Sequence, residues 1–537
     1  MKGFAMNWSL SALATCALAS LAAAGDEPSR KANGRPDPAK TAVLIDRRIE
    51  EKLGVYKAPT SPRSDDAAFF RRINLTLAGR IPVPAETQLF LADAHPNKRA
   101  RAIEKLLASP AYANHLTTTW RGWLLPEAAA DFQIAATVPG FEAWLRSRIQ
   151  AGTPYNQFVT ELLTTPLGGR AATARVAAPD DRDGVTNPLA FYQAKEGKPE
   201  NLAAATARIF MGVQLECAQC HDHPFAKWSR DQFWGLAAFF AGVELQNGPN
   251  GVPREVFDRR ELPIPNADRT VSATFLDDQE PEWRFKTSPR VTLAKWLTAP
   301  ENPFFARAAV NRMWAFAFGV GLVDPVDDLS DQNRPSHPEL LDELAKAFVD
   351  SGFDVKFLLR AILLSETYQR SSVVGDPAQK DVRLYARFPV QALTPEQLFD
   401  SLSVVVGTGL EGPGGMYLQN PGSARRQFVD SFALSGRKTE HSTTIIQALT
   451  LMNGALVGEA TTLESSRTLA AIVELPGLTQ DQRIESLYLA ALSRRPSVDE
   501  LRRANRHIDA APAEKTKERY GDLLWALLNS VEFRTNH

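Results

Sequence analysis

At 537 residues, with 44% hydrophobic and 23% charged positions, the chain has the composition of a folded globular protein. It is too long for one ordinary core, which excludes a disordered or fibrous polypeptide and predicts two or three domains. A formal net charge of −1 gives no overall drive toward nucleic acid or an anionic membrane surface, and three cysteines are too few for a disulfide-stapled scaffold.

The N-terminus has the layout of a secretory signal. Lys2 supplies a positive start, residues 8–21 are apolar, and Ala22-Ala23-Ala24 offers an A-x-A cleavage site, so residues 1–24 read as a signal peptide and the protein as exported to the periplasm or beyond. A lipoprotein signal, Leu13-Ala14-Thr15-Cys16, is the competing reading. The apolar run is shorter than the roughly 20 residues of a membrane helix, and no later stretch is long enough, so no membrane span is expected. Residues 25–42, with Pro28, Pro36 and Pro38, form a polar leader.

Helical patterning begins at 45–53 and continues through Phe69, Phe70, Ile73, Leu75 and Leu77 to a stop near Gly79. Further helices are predicted over 100–107, 112–125, 141–149 and 156–163. Residues 167–198 read as a loop, and 202–215 as a helix running directly into Cys217. Ser229 and Gln232 form a capping box before the aromatic-rich segment 233–240. Between 246 and 285 Gly, Pro and Asn are frequent, and 270–275 alternates like a strand. This segment is the predicted junction between a helical module at 43–245 and another at 286–537. Capping boxes are read at Ser336, Thr394, Thr479 and Ser497, a cap at Asp354, and a last helical segment at 523–533; residues 408–440 read as a Gly-rich loop. The expected fold class is mainly α, two helical modules with a small β element between them.

The chemistry concentrates at Cys217-Ala218-Gln219-Cys220-His221-Asp222-His223. C-x-x-C-H is the pattern of covalent c-type haem attachment: two thiols bond the two vinyl groups and the adjacent imidazole ligates iron. Removing residues 1–24 would leave Cys217 and Cys220 as the only cysteines. The sixth iron ligand is open among Met211, His223, Met313, Met416, His441 and Met452. A zinc or iron site using Cys217, Cys220, His221 and His223 is the alternative, although four donors within seven residues rarely surround one ion. A disulfide or redox-active pair, and a plain packed helix end, also remain.

Asp324, Asp327, Asp328 and Asp331 form an acidic cluster that would serve calcium or acid–base chemistry, or simply cap helices and pair with Arg307, Arg312 or Arg334. His337 beside Pro338 reads as local structure, and Trp228, Phe233, Trp234, Phe239 and Phe240 as core or as haem walls. No P-loop, G-x-S-x-G or Rossmann fingerprint is present.

The run 212–225 around the cysteines resembles the signature of the planctomycete secreted cytochrome-like domain, and Phe70-Arg71-Arg72-Ile73-Asn74-Leu75 onward to Pro82 resembles its upstream motif. Asn311-Arg312-Met313-Trp314, the run 321–328, Ser336-His337-Pro338-Glu339, the run 447–453 and Arg494-Arg495-Pro496 resemble the partner planctomycete secreted domain. Both are families of unknown function, so the resemblance implies secretion and a two-module layout. Many such relatives carry a separate cytochrome c domain in front, for which residues 1–42 leave no room. The expectation is an exported haem-c electron-transfer or redox protein with a redox partner protein. The alternatives are a non-haem binding or scaffold protein, with a metal or disulfide at the same turn, and a secreted hydrolase using the Asp327/Asp328 region.

Overall fold

Asp37 and Asp65 show how this chain starts its helices. Each side chain accepts from a backbone N–H of the following turn, Ala39 at 2.9 Å and Ala68 at 2.8 Å. The helices Pro38–Tyr56 and Asp66–Ala78 follow, the second closed by Gly79 at φ 70°. In the computed structural model the described residues are 34–168, 188–222, 227–246, 251–407, 424–433 and 454–537. The expected signal peptide, the first half of the leader, His223, Met416, His441 and Met452 lie outside them.

The fold is mainly helical, and among the described residues β structure is confined to small antiparallel pairs and an isolated bridge between Arg63 and Arg370. Val243–Gln246 pairs with Val252–Glu255, and Glu261–Pro263 with Thr270–Ser272, with Leu262 opposite Val271. Gln391–Ala392 pairs with Thr535–Asn536 and ties the C-terminus into the body. Among the described residues no helix is long and apolar enough to cross a membrane.

One contiguous apolar core runs from Ile45 to Phe388 and takes residues from both sides of the 246–285 segment. A smaller core packs Leu75 and Ile81 against residues between Leu398 and Phe533. The segment between the modules is anchored by a buried ion pair. Arg290 meets Glu255 at 2.5 Å, and its guanidinium also donates to the Leu163 carbonyl and the Tyr192 hydroxyl, each at 2.8 Å. Partnered on every side, this charge is tolerated in the interior.

Three local expectations are corrected. The helix expected over 202–215 is Pro199–Thr206, continued by a π-helical turn Ala207–Met211, and it ends there because Gly212 reverses the chain at φ 68°. The region 167–198 contains the short helix Ala190–Ala194, whose Phe191 and Tyr192 are fully buried. The region 408–440 contains the helix Ala424–Ala433, tied down where Arg425 grips Asp400 with bonds of 2.8 and 2.9 Å.

Candidate functional site

The cysteine motif sits on a tight 3-10 turn, Glu216–Gln219, directly after the reversal at Gly212. Two apolar side chains pin the turn from below: Leu215 and Ala218 are fully buried. With these facing inward, Cys217, Cys220, His221 and Asp222 are exposed. The turn is fixed at its far end as well. Trp234 Nε1 donates to the Gln219 carbonyl at 3.1 Å, and the Arg230 N–H donates to Asp222 Oδ1 at 2.8 Å.

Both thiols are free. His221 Nδ1 lies 2.7 Å from the Asp222 carbonyl oxygen. A carbonyl only accepts, so Nδ1 carries the proton and Nε2 keeps an open lone pair. Two unbonded thiols and one imidazole nitrogen are thus displayed on a braced turn. Among the described residues no group of three or more His, Cys, Asp or Glu side chains is gathered to hold a metal ion.

The donor set fits covalent haem, which needs accessible thiols and a free imidazole nitrogen. The aromatics following the turn are already committed to the core. Phe233 meets Trp234 edge-on at 5.3 Å, Trp228 lies 6.1 Å from Phe304, and Phe239 stacks on Phe275 at 5.1 Å. Trp228 and Trp234 are only 4% and 3% exposed, so they brace the protein behind the turn rather than lining an open cleft. A haem held here would lie on the surface. Met211 and Met313 are buried in the core.

The second module reaches the motif through its acidic loop. The Leu329 N–H donates to the Gly212 carbonyl at 2.7 Å, and Gln214 Nε2 donates to Asp327 Oδ1 at 3.0 Å. A side chain at Gly212 would lie 2.1 Å from Leu329 Cδ1, so the glycine serves both the reversal and this close approach. Asn311 holds the loop from beneath: its amide exchanges hydrogen bonds with Val323 at 2.9 Å in both directions. Arg312, buried at 6% exposure, stacks over Trp123 and donates to the Arg208 carbonyl at 3.2 Å. Arg208 in turn faces Glu216 at 3.4 Å.

Among the described residues no ion pair joins these aspartates to Arg307, Arg312 or Arg334, although the Asp327 charge favours the charged form of Arg312. Arg307 pairs with Asp342 at 3.2 Å, and Asp327 accepts from Gln214. The capping box expected at Ser336 is also absent. Its hydroxyl contacts His337 Nδ1 at 3.1 Å, its N–H donates to Leu322, and His337 stands at the N-cap of Pro338–Asp350. His337 is buried and held neutral to about 3, first by burial and then by the nearby cations Lys52 and Arg383. Gly212 and Gln214 lie in the run 212–225 that the sequence singles out, but their contacts with Leu329 and Asp327 were not legible there, and Arg208 was missed altogether. Gly212 alone carried a signal, as a glycine in an otherwise helical pattern.

A mainly helical protein that displays two thiols and an imidazole on a turn braced by a second module is the class these features define. Comparison with known families agrees. Residues 44–245 match the family PSCyt2, "Protein of unknown function (DUF1549)", and residues 289–428 and 416–508 match PSD1, "Protein of unknown function (DUF1553)". The chain carries these two domains in that order, as the motif resemblances implied. No curated protein and no solved structure matches it.

Proposed function

We propose that this is an exported redox protein that carries c-type haem through Cys217 and Cys220, with His221 as an iron ligand, and passes electrons to a redox partner protein. The observation that carries the reading is the turn itself: two free exposed thiols with an adjacent imidazole whose Nδ1 is held by the Asp222 carbonyl. Cys217 and Cys220 would hold the group, each adding its S–H across one vinyl group to give a thioether with no leaving group. The bound group would supply a one-electron iron couple. The protein's own residues orient the donors. Leu215 and Ala218 anchor the turn, and the Nδ1–H bond to the Asp222 carbonyl fixes the orientation of the His221 ring.

The test is expression in a host with cytochrome c maturation machinery, followed by a pyridine haemochrome spectrum and the intact mass. The expected result is a mass increase of one haem that disappears in Cys217→Ala/Cys220→Ala. A full-length protein without haem mass or Soret band overturns the proposal. Stoichiometric zinc or iron lost in the same double variant would assign Cys217, Cys220, His221 and His223 to a metal instead.

A further inference from the structure

The loop 321–336 of the second module braces the cysteine turn, through Leu329 on Gly212 and Asp327 on Gln214. Its two limbs are held by different means. The outgoing limb is locked by neutral groups. Leu322 and Val323 are fully buried, the Tyr385 hydroxyl donates to the Gly321 carbonyl at 2.8 Å, and Asn311 Nδ2 donates to the Val326 carbonyl at 3.2 Å. The returning limb ends at Ser336. Its N–H donates to the Leu322 carbonyl at 2.7 Å, its carbonyl accepts from Lys52 Nζ, and its hydroxyl lies 3.1 Å from His337 Nδ1. Closure of the loop converges on Ser336 and His337.

His337 is buried with its ring centre 5.6 Å from that of Tyr385, and among the described residues its Nε2 has no hydrogen-bond partner. Lys52 of the helix Pro38–Tyr56 and Arg383 of the turn Val382–Leu384 both act on the ring. Both are cations, and no carboxylate among the described residues offsets them there. The Asp324 carboxylate, exposed on the loop, acts on Tyr385, whose hydroxyl burial keeps protonated. From the helix Phe305–Phe318 the uncharged Trp314 meets Tyr385 edge-on at 5.3 Å. A second proton on the His337 ring would need an acceptor for Nε2–H and would face two cations in the interior. The closed loop therefore requires a neutral imidazole, and an open loop does not.

We propose that His337 is an acid-operated latch: a proton taken up by its ring releases the returning limb, and with it the contacts of the loop on the cysteine turn. The latch does not depend on what the thiols hold. Closed, the ring stays neutral to about 3; exposed, it titrates near 6.5. Opening therefore takes up a proton and grows more favourable as pH falls below 6.5, by about 25-fold between pH 7 and pH 5. The test is amide hydrogen exchange on the haem-free full chain, corrected for the intrinsic rate and read at the Leu329 and Ser336 N–H groups. At pH 7 both are expected to exchange well before Leu358 and Leu359, fully buried in the helix Val355–Leu364. Their protection should fall about 25-fold by pH 5, and His337→Asn should remove that fall. Should the variant fail to fold, the wild-type profile decides, because the fall must begin near 6.5. Protection that ignores pH, a fall that begins elsewhere, an equal fall in a folded His337→Asn, or loop amides protected as well as Leu358 and Leu359 overturns the proposal.

Discussion

The arginines of the stretch 70–82 and the cysteines of the turn at 217–220 are equally conspicuous in sequence and opposite in setting. Arg71 and Arg72 are 2% and 0% exposed, whereas Cys217 and Cys220 face solvent. Arg71 donates to the carbonyls of Ala491, Glu532 and Phe533 at 3.1, 3.2 and 2.9 Å. Arg72 donates to the carbonyls of Tyr368 and His537 and lies 3.8 Å over the Phe388 ring. Burial pulls both guanidinium groups down to about 10, which still leaves them charged at neutral pH. These two cations clamp the C-terminal chain onto the first module. A buried charge that spends its donors on backbone carbonyls holds structure, while donors left free on a braced surface are available for chemistry.

That contrast is open to attack by mutation, and the largest effect belongs to a third buried arginine. Arg290→Ala leaves Glu255 buried and uncompensated, and should cost about 3–5 kcal/mol in urea unfolding. A loss below about 1 kcal/mol would show that the ion pair does not anchor the segment. Arg71→Met strands three carbonyls and should cost about 1.5–3 kcal/mol. Hydrogen exchange in the pair Gln391–Ala392 and Thr535–Asn536 should quicken first, and unchanged exchange there would remove the clamp from the account.

His337 gives a smaller effect with a defined sign. Unfolded, it takes a proton near 6.5; folded, burial holds it neutral to about 3. The unfolded chain therefore binds more protons across that window, so stability falls as pH drops from 6.5 toward 3. One pH unit below 6.5 the contribution is about 1 kcal/mol, and His337→Asn should flatten the stability–pH profile by that amount. An identical slope in the variant would rule out this histidine as its source. The smallest change is expected at the exposed cysteine turn. Cys217→Ala/Cys220→Ala removes two exposed side chains and should leave the stability of the haem-free protein within about 0.5 kcal/mol. A larger loss would move the cysteines to the structural side of the comparison.

Several parts of this arrangement were legible before the fold was known. The capping boxes at Ser229, Thr394, Thr479 and Ser497 all form as read, because each is closed within four residues by its own side chains. Gly79 and Gly407 end their helices at φ 70° and 74° for the same local reason. Ser336 fails by the same logic inverted. Its N–H and hydroxyl are taken by Leu322 and His337, and the first of these is distant in sequence. The helix entering the cysteine motif stops short of its predicted end because Gly212 takes φ 68° and turns the chain toward Leu329, whose N–H reaches the Gly212 carbonyl from more than 100 residues away.

By itself the sequence determined the mainly helical class and the order of the two modules, and it set two thiols and an imidazole side by side at 217–221. Spacing, donor type and apolar periodicity are properties of neighbours along the chain. Only the tertiary structure decided that Leu215 and Ala218 turn inward while the thiols turn outward, that the acidic loop docks on Gly212, and that Arg71 and Arg72 grip the C-terminus. Each of these is a contact between segments far apart in the chain, and burial, not local pattern, selects among them.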